Sequence, residues 1–249
     1  MTQPYRLTGA IGRKSLGLIV LQVDETIEQD FRRLFPDPQL ALHISRIPSG
    51  TDLNPDTIGQ MGVDLPRAAA LLPPAAQFDS VGYGCTSGTT LIGAEAVAGM
   101  IRSACNTAQV ADPLTAALGA FTHLRARSLA IVSPYIEAVA QPIRRAFEAA
   151  GFHIPATLSF GETVEANVAR IDPASIHAAA LQAGRAAGVE AVFISCTNLR
   201  TLDILGDLEQ NLGLPVVSSN QALAWQMARH CGLTLPKGAP GQLLRALTE

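Results

Sequence analysis

The sequence predicts an α/β fold of two similar lobes, each with a parallel sheet flanked by helices, with the active site in the cleft between them. Short β-rich runs alternate with longer alanine-rich stretches of helical spacing, which is typical of parallel βα units. The segment 78–87, which contains Cys85, also resembles the segment 189–198, which contains Cys196. A repeat at about half of the 249-residue length predicts two related lobes. Chance similarity between two apolar strands is the alternative.

Strands are predicted where short aliphatic runs are bounded by polar or turn-forming residues. They cover residues 16–23, 40–47, 80–83, 128–132, 153–160, 191–195 and 215–218. The first run follows Arg13 and Lys14, as the apolar region of a signal peptide follows basic residues. It passes directly into Asp24 and Glu25 and has no small-residue cleavage site, so we interpret it as a strand.

Helices are predicted in the alanine-rich stretches between the strands. They cover residues 26–34, 54–72, 91–103, 113–123, 136–150, 173–187, 202–212 and 220–231. Their ends have the expected residues: Gly151 follows one helix, and Asp172 with Pro173 begins the next.

The two lobes are assigned from the position of the repeat. Residues 1–115 and 220–249 form the lobe that carries Cys85, and residues 116–219 form the lobe that carries Cys196.

Composition favours a small-molecule partner. Hydrophobic residues make up 48% of the chain and charged residues 16%, which indicates a packed globular protein. The formal net charge is −3 and no lysine or arginine block occurs, so binding to nucleic acid or to an anionic membrane is not expected. No apolar stretch reaches the ~18 residues of a membrane span. The four cysteines, without a secretory signal, predict free thiols and a cytoplasmic location.

Cys85 and Cys196 are the candidate catalytic residues. Each follows an apolar run, and the carboxyl ends of parallel strands are where open α/β sheets present reactive groups. Two thiols at one ligand could carry protons on opposite faces of a carbon. The small polar residues that follow each cysteine could hold a substrate carboxylate with N–H and hydroxyl groups. These candidate binding residues are Thr86, Ser87, Thr197 and Asn198.

Other catalytic motifs fail on spacing. Gly82 and Gly84 lack the third glycine of a dinucleotide fingerprint, because Gly88 comes one position late. No phosphate-binding loop or nucleophile elbow is present. The five histidines have no metal-ligand spacing. We therefore expect neither a cofactor nor a metal, and we expect Cys105 and Cys231 to pack in the core.

These residues carry a resemblance to a known family. The matching segments are 21–28, 82–89, 133–135, 195–198 and 217–222. The chain resembles the Asp/Glu racemase superfamily, in its branch of maleate cis-trans isomerases and arylmalonate decarboxylases, and is most similar to ectoine-utilisation proteins of the EutA type. The resemblance implies two Rossmann-like lobes, no cofactor, and Cys85 with Cys196 as the catalytic pair. It also implies that Tyr135 reaches into the site and that Asn167 helps to hold the substrate.

Asp24 departs from this family pattern. Similar maleate isomerases have asparagine at the end of the first strand, and an asparagine can donate a hydrogen bond to a carboxylate, whereas an ionised aspartate cannot. A plain dicarboxylate would be repelled there. We hypothesise that Asp24 meets an ammonium, amide or hydroxyl group of the substrate; the alternative is that it caps the helix that begins at Thr26.

The sequence thus predicts an enzyme, a cofactor-independent isomerase or racemase of a small carboxylate or amino-acid-like compound, forming a homo-oligomer. Two alternatives remain. One is an arylmalonate-type decarboxylase, a lyase that would need a single cysteine as proton donor. The other is a non-catalytic, two-lobed ligand-binding protein, which would leave the paired thiols unexplained.

Overall fold

Two four-stranded parallel sheets form the framework of the protein in the computed structural model, which describes residues 2–9, 11–52, 54–245 and 247–248. The first sheet contains β1 (Lys14–Leu21), β2 (Leu40–Ile47), β3 (Ser80–Gly84) and β4 (Val110–Ala111). The second contains β5 (Ser128–Ser133), β6 (His153–Ser159), β7 (Ala191–Ile194) and β8 (Val216–Ser218). The predicted α/β fold with two sheets is confirmed.

The two sheets have the same strand arrangement. Their orders are β2-β1-β3-β4 and β6-β5-β7-β8, and every neighbouring pair is parallel. β3 and β7 therefore occupy equivalent positions. Cys85 directly follows β3, and Cys196 lies two residues after the end of β7, so the repeat detected in the sequence corresponds to a repeat in the structure.

Helices flank both sheets. Their bounds are α1 (Ile27–Leu34), α2 (Pro55–Ala70), α3 (Thr86–Ile92), α4 (Ala94–Ala104), α5 (Pro113–His123), α6 (Glu137–Ala149), α7 (Pro173–Gly184), α8 (Leu205–Leu212), α9 (Ser219–Cys231) and α10 (Gln242–Arg245), with a 3-10 helix at Glu165–Arg170. None of the helices in the described part of the chain has the length and apolar character needed to cross a membrane.

The predicted helix at residues 91–103 is wrong, because two helices, α3 and α4, cover this region. Gly93 separates them with a φ of 96°, a left-handed value that glycine adopts without a steric cost. α3 begins at Thr86, so Cys85 is the N-cap residue of a helix. The elements missed in the sequence are β4, the 3-10 helix and α10, which are too short to show a periodic pattern.

After β8, the chain returns toward the first sheet. Helix α9 packs against α5 and β3, so it lies against the strand that leads to Cys85. The lobe boundaries at residues 115 and 219 stay a prediction.

The backbone is strained at Cys196. Its φ is 149°, in a region that residues with a Cβ atom rarely adopt. The Cys196 N–H donates to Ser219 Oγ at 3.0 Å, and this contact helps to hold the residue in place. Such conformations cost about 1–3 kcal/mol and are concentrated at functional sites.

We predict that Cys196→Gly is more stable than Cys196→Ala by about 1 kcal/mol. Glycine relieves strain of about 1–3 kcal/mol, which outweighs the about 0.5–1 kcal/mol by which its greater unfolded-state entropy destabilises the fold. Urea unfolding of the two variants measures the difference. Cys231, at the end of α9, is the control position: there glycine should be less stable than alanine. If glycine is less stable than alanine at both positions, Cys196 is unstrained.

Candidate active site

Cys85 and Cys196 are buried at the carboxyl ends of equivalent strands. Their exposed fractions are 2% and 6%. The Gly88 N–H donates to Cys85 Sγ at 3.2 Å, and the Asn198 N–H lies near the Cys196 thiol and lowers its pKa. Each sulfur therefore has an amide donor within its own turn, an arrangement that favours the thiolate.

Hydrogen bonds between the lobes join the two cysteine turns. Ser219 Oγ lies 2.8 Å from Thr86 Oγ1 and accepts the Cys196 N–H. Thr197 Oγ1 donates to the Gly84 carbonyl at 3.0 Å. Because these residues are the sequence neighbours of the two cysteines, the bonds bring both thiols into one region of the interior.

Asn198 connects the second lobe to the loop after β1. Its Oδ1 accepts the Glu25 N–H at 2.9 Å, and its Nδ2 donates to the Val23 carbonyl at 3.3 Å. Thr26 Oγ1 donates to the Asn198 carbonyl at 3.0 Å. Both polar atoms of the Asn198 side chain thus form hydrogen bonds that connect the lobes.

Two buried tyrosines lie beside the thiols. The Tyr83 hydroxyl donates to Met61 Sδ at 3.8 Å and lies beside Cys85, and Tyr135 lies beside Cys196. Burial raises the pKa of both phenols well above the usual value, so both remain protonated donors. A Cβ atom on Gly88 would lie 2.6 Å from the Tyr83 hydroxyl and 2.9 Å from Cys85 Sγ, so this glycine makes room for these two groups.

Glu165 is the shared electrostatic neighbour of the two thiols. It begins the 3-10 helix and is buried, with an exposed fraction of 6%. Its N–H donates to the Thr51 carbonyl at 3.0 Å, beside an antiparallel bridge between Asp52 and Val164. Burial and the charge of Asp24 raise the pKa of the Glu165 carboxyl to about 7. Its charge acts on both thiols, which places it with both of them.

Asp24 follows β1 and is 1% exposed. Its Oδ1 accepts the N–H groups of Thr26 at 2.8 Å and Ile27 at 2.9 Å, at the start of α1. The structure thus shows the helix-capping role. Its Oδ2 is buried and has no hydrogen-bond donor among the described residues. Capping by one oxygen therefore leaves the other oxygen for a ligand, and the two hypotheses for Asp24 are compatible.

Burial holds both thiols in the protonated form. Desolvation, followed by the charge of Glu165, raises the pKa of Cys85 to about 12, and the same causes raise the pKa of Cys196. The amide donors in each turn act in the opposite direction but are weaker. Without a ligand the site therefore holds two thiols, and a thiolate requires an added positive charge or a lost negative one.

Most of the predicted site residues lie together near the two thiols. Those around the thiols are Asp24, Thr86, Ser87, Tyr135, Thr197 and Asn198. Asn167 does not join them, because it is exposed on the outer face of the 3-10 helix and lies beside Glu162. Its predicted substrate contact is not supported by this position. Across the described residues, no group of three or more His, Cys, Asp or Glu side chains is arranged to hold a metal ion.

Sequence reasoning missed Glu165, Tyr83 and Ser219. Ser219 could have been found, because it follows β8, the neighbour of β7, and lies in the polar segment 217–222. Glu165 precedes the buried Val168 by three residues. This spacing is a weak indication that both residues lie on one buried helical face. The remaining cysteines, like the reactive pair, are free thiols.

Comparisons with known proteins show the family of the chain. The family model for arylmalonate decarboxylase matches residues 95–244. A maleate isomerase of Nocardia farcinica (strain IFM 10152) is 25% identical over 246 residues, covering 94% of this chain and 97% of its own. An arylmalonate decarboxylase of Bordetella bronchiseptica is 34% identical over 120 residues, covering 47% of this chain and 50% of its own.

The fold is also found in a solved relative. Nocardia farcinica maleate cis-trans isomerase, a cysteine-to-serine variant with a covalently bound succinylcysteine intermediate, superposes with a TM-score of 0.84 at 23% identity, covering 94% of this chain and 98% of that chain. This similarity concerns the two-lobed fold. Since the family model matches more than half of the sequence, the chain belongs to the arylmalonate decarboxylase family, and its relatives include a maleate isomerase and an arylmalonate decarboxylase.

Proposed function

We propose that the protein is a cofactor-independent isomerase or racemase that acts on a small carboxylate or amino-acid-like substrate through Cys85 and Cys196. The observation that carries the proposal is the pair of buried thiols at equivalent strand ends, with Glu165 and Tyr135 common to both. Ligand binding alone does not require two thiols. Proton transfer on two faces of one carbon, or addition followed by protonation, uses both.

In the racemisation route, one cysteine acts as a thiolate and removes the proton from the carbon next to the carboxylate. The electron pair of the broken C–H bond moves into the carboxylate and forms an enediolate. The other cysteine, as a thiol, gives its proton to the opposite face of the carbon, and the electron pair returns to form the new C–H bond. No oxidation occurs, so the route needs no redox cofactor.

In the cis-trans route, the Cys85 thiolate adds to one alkene carbon, and the π electrons form a carbanion that Cys196 protonates. The new single bond rotates, Cys196 takes the proton back, and the C–S bond breaks. The covalently bound succinylcysteine of the Nocardia farcinica isomerase supports this order of events in a relative. The assignment of Cys85 as nucleophile and Cys196 as acid or base follows by analogy.

Protonated donors around the thiols would stabilise the charge that forms on the substrate carboxylate. Tyr83 and Tyr135 keep their protons because burial raises their pKa, and the Ser87 hydroxyl lies 3.6 Å from Cys85 Sγ. A well-placed donor of this kind contributes about 3 kcal/mol in enzymes that form oxyanions.

A decarboxylase is the second candidate. The matching family model and the 34% identity to the Bordetella bronchiseptica enzyme over 120 residues favour it. Loss of CO₂ from a malonate also gives an enediolate, which one thiol can protonate. The second buried thiol favours the isomerase or racemase, because a decarboxylase of this type has no use for it. A role in ectoine utilisation would fit an amino-acid-like substrate.

We predict that the protein exchanges the hydrogen next to a substrate carboxylate for deuterium. A panel of small amino acids, ectoine-pathway acids and maleate is incubated in D₂O and followed by NMR. Cys85→Ser and Cys196→Ser should each abolish exchange, because a serine hydroxyl is a far weaker acid than a thiol. Cys105→Ser and Cys231→Ser are the matched controls and should retain it.

Other outcomes separate the alternatives. Retained exchange or isomerisation in both Cys85→Ser and Cys196→Ser would contradict the two-thiol chemistry. CO₂ release that depends on one of the two cysteines alone would identify a decarboxylase. Absence of turnover across the panel, with ligand binding unchanged in both variants, would favour a binding protein.

We also predict that Gly88→Ala lowers turnover by about tenfold or more. The added Cβ would displace the Tyr83 hydroxyl or Cys85 Sγ, and small displacements of reacting groups cost that much in rate. Gly99→Ala in α4 is the control, because nothing lies within 4 Å of its added Cβ. Equal turnover in the two variants would show that Cys85 does not need its position beside Gly88.

A further inference from the structure

Two buried carboxyls in the site form no ion pair with a described residue. Asp24 Oδ2 accepts no hydrogen bond, although the residue is 1% exposed. The Glu165 carboxyl is 6% exposed, and no described residue donates a hydrogen bond to it or forms an ion pair with it. The ion pair between Glu25 and Arg170 joins the loop that carries Asp24 to the 3-10 helix that carries Glu165, and the charge of Asp24 raises the pKa of the Glu165 carboxyl. A buried carboxylate without a partner is costly, and a bound ligand with a cationic group would supply the missing partner.

The donors nearest to Asp24 are already used. Thr197 lies beside it, but the single hydroxyl proton of Thr197 goes to the Gly84 carbonyl. Arg46 is the cation that acts on Asp24, and it also pairs with Glu28. The Arg46 guanidinium donates to backbone carbonyls of the loop after β1, those of residues 21, 22 and 24, and therefore does not reach Oδ2.

The arginine of the 3-10 helix is also occupied by another carboxylate. Arg170, at the end of the 3-10 helix, is paired with Glu25 at 2.7 Å. A cavity of about 400 Å³ lies along these same two elements, lined in part by Glu25, Thr26 and Arg170. Neither Asp24 nor Glu165 is among the residues that line this cavity, although the cavity borders the loop and the helix that carry them.

We propose that Asp24 and Glu165 form a cation subsite that binds an ammonium group of the substrate beside Cys85 and Cys196. The inference rests on the proposed function in one respect, that the cleft is the substrate site. It narrows the substrate to an aminocarboxylate. A dianion would meet two carboxyls in a poorly screened interior, whereas an ammonium group would pair with both.

The same pairing would activate the thiols. The charge of Glu165 disfavours thiolate formation at both cysteines, and a bound ammonium neutralises that charge. The thiolate then forms only when the substrate is present. The reactive sulfur is thereby protected from oxidation in the empty enzyme.

The variants that test the subsite preserve its shape. Asp24→Asn keeps an oxygen to accept the N–H groups of Thr26 and Ile27 and replaces the unpartnered oxygen by a donor. Glu165→Gln is isosteric. Glu162→Gln is the matched control, because Glu162 lies three residues earlier and is only half-buried, and its carboxylate accepts backbone N–H groups.

Calorimetric titration compares matched probes: β-alanine against propionate, and 4-aminobutyrate against butyrate. We expect the wild type to bind an amino compound about tenfold or more tightly than its partner, which is the size of one charge-assisted hydrogen bond. Asp24→Asn and Glu165→Gln should each reduce this preference to about threefold or less, and Glu162→Gln should keep it. Equal binding of the paired compounds, weak binding of all of them, or a preference that survives both substitutions would overturn the subsite.

Failure of the subsite and failure of the proposed function give different results. If turnover requires both cysteines but the ammonium preference is absent, the chemistry stands and the subsite is wrong. If the ammonium preference depends on Asp24 and Glu165 but turnover persists without the cysteines, the subsite stands and the two-thiol chemistry is wrong.

Discussion

The hydroxyl of Ser219 joins the two lobes at the place where Cys85 and Cys196 lie. It contacts the Thr86 hydroxyl in the first lobe and accepts the Cys196 N–H in the second. Each cysteine follows a strand of a separate sheet, so neither sheet alone could create a site with two thiols. The hydrogen bond from Thr197 to Gly84 acts in the same way, and together these contacts fix the spacing on which any two-cysteine chemistry depends.

Burial then determines the electrostatics of the site. Removal of water raises the pKa of both thiols and of the Glu165 carboxyl, because each charged form loses its solvation. Charges of one sign also interact strongly where no cation screens them. The two named relatives are a maleate isomerase and an arylmalonate decarboxylase. The site of this chain carries the unpartnered Asp24 oxygen and the buried Glu165, and we propose that these two charges select the substrate.

The sequence was sufficient to predict the two sheets and the position of the thiols, because strand patterns and residues that follow strands are local signals. It was not sufficient to predict Glu165. The burial of this residue depends on the bond from its N–H to the Thr51 carbonyl, which joins loops far apart in sequence. Asn167 lies two residues later, on the exposed face of the same short helix. Its exposure therefore follows from the same placement of that helix. The break at Gly93 was missed because helical spacing continues across it.

The most direct test of a shared, buried and acidic site is the titration of Glu165. Carbon-13 labelling of the glutamate carboxyls, with Glu165→Gln to assign the resonance, gives its pKa by NMR. We predict that the Glu165 carboxyl titrates with a midpoint of about 7. The midpoint should be lower in Asp24→Asn, because the neighbouring charge is removed. A midpoint near the ordinary value of about 4.3, unchanged in Asp24→Asn, would show that Glu165 is solvated and separate from Asp24. That result would contradict a shared, buried and acidic site.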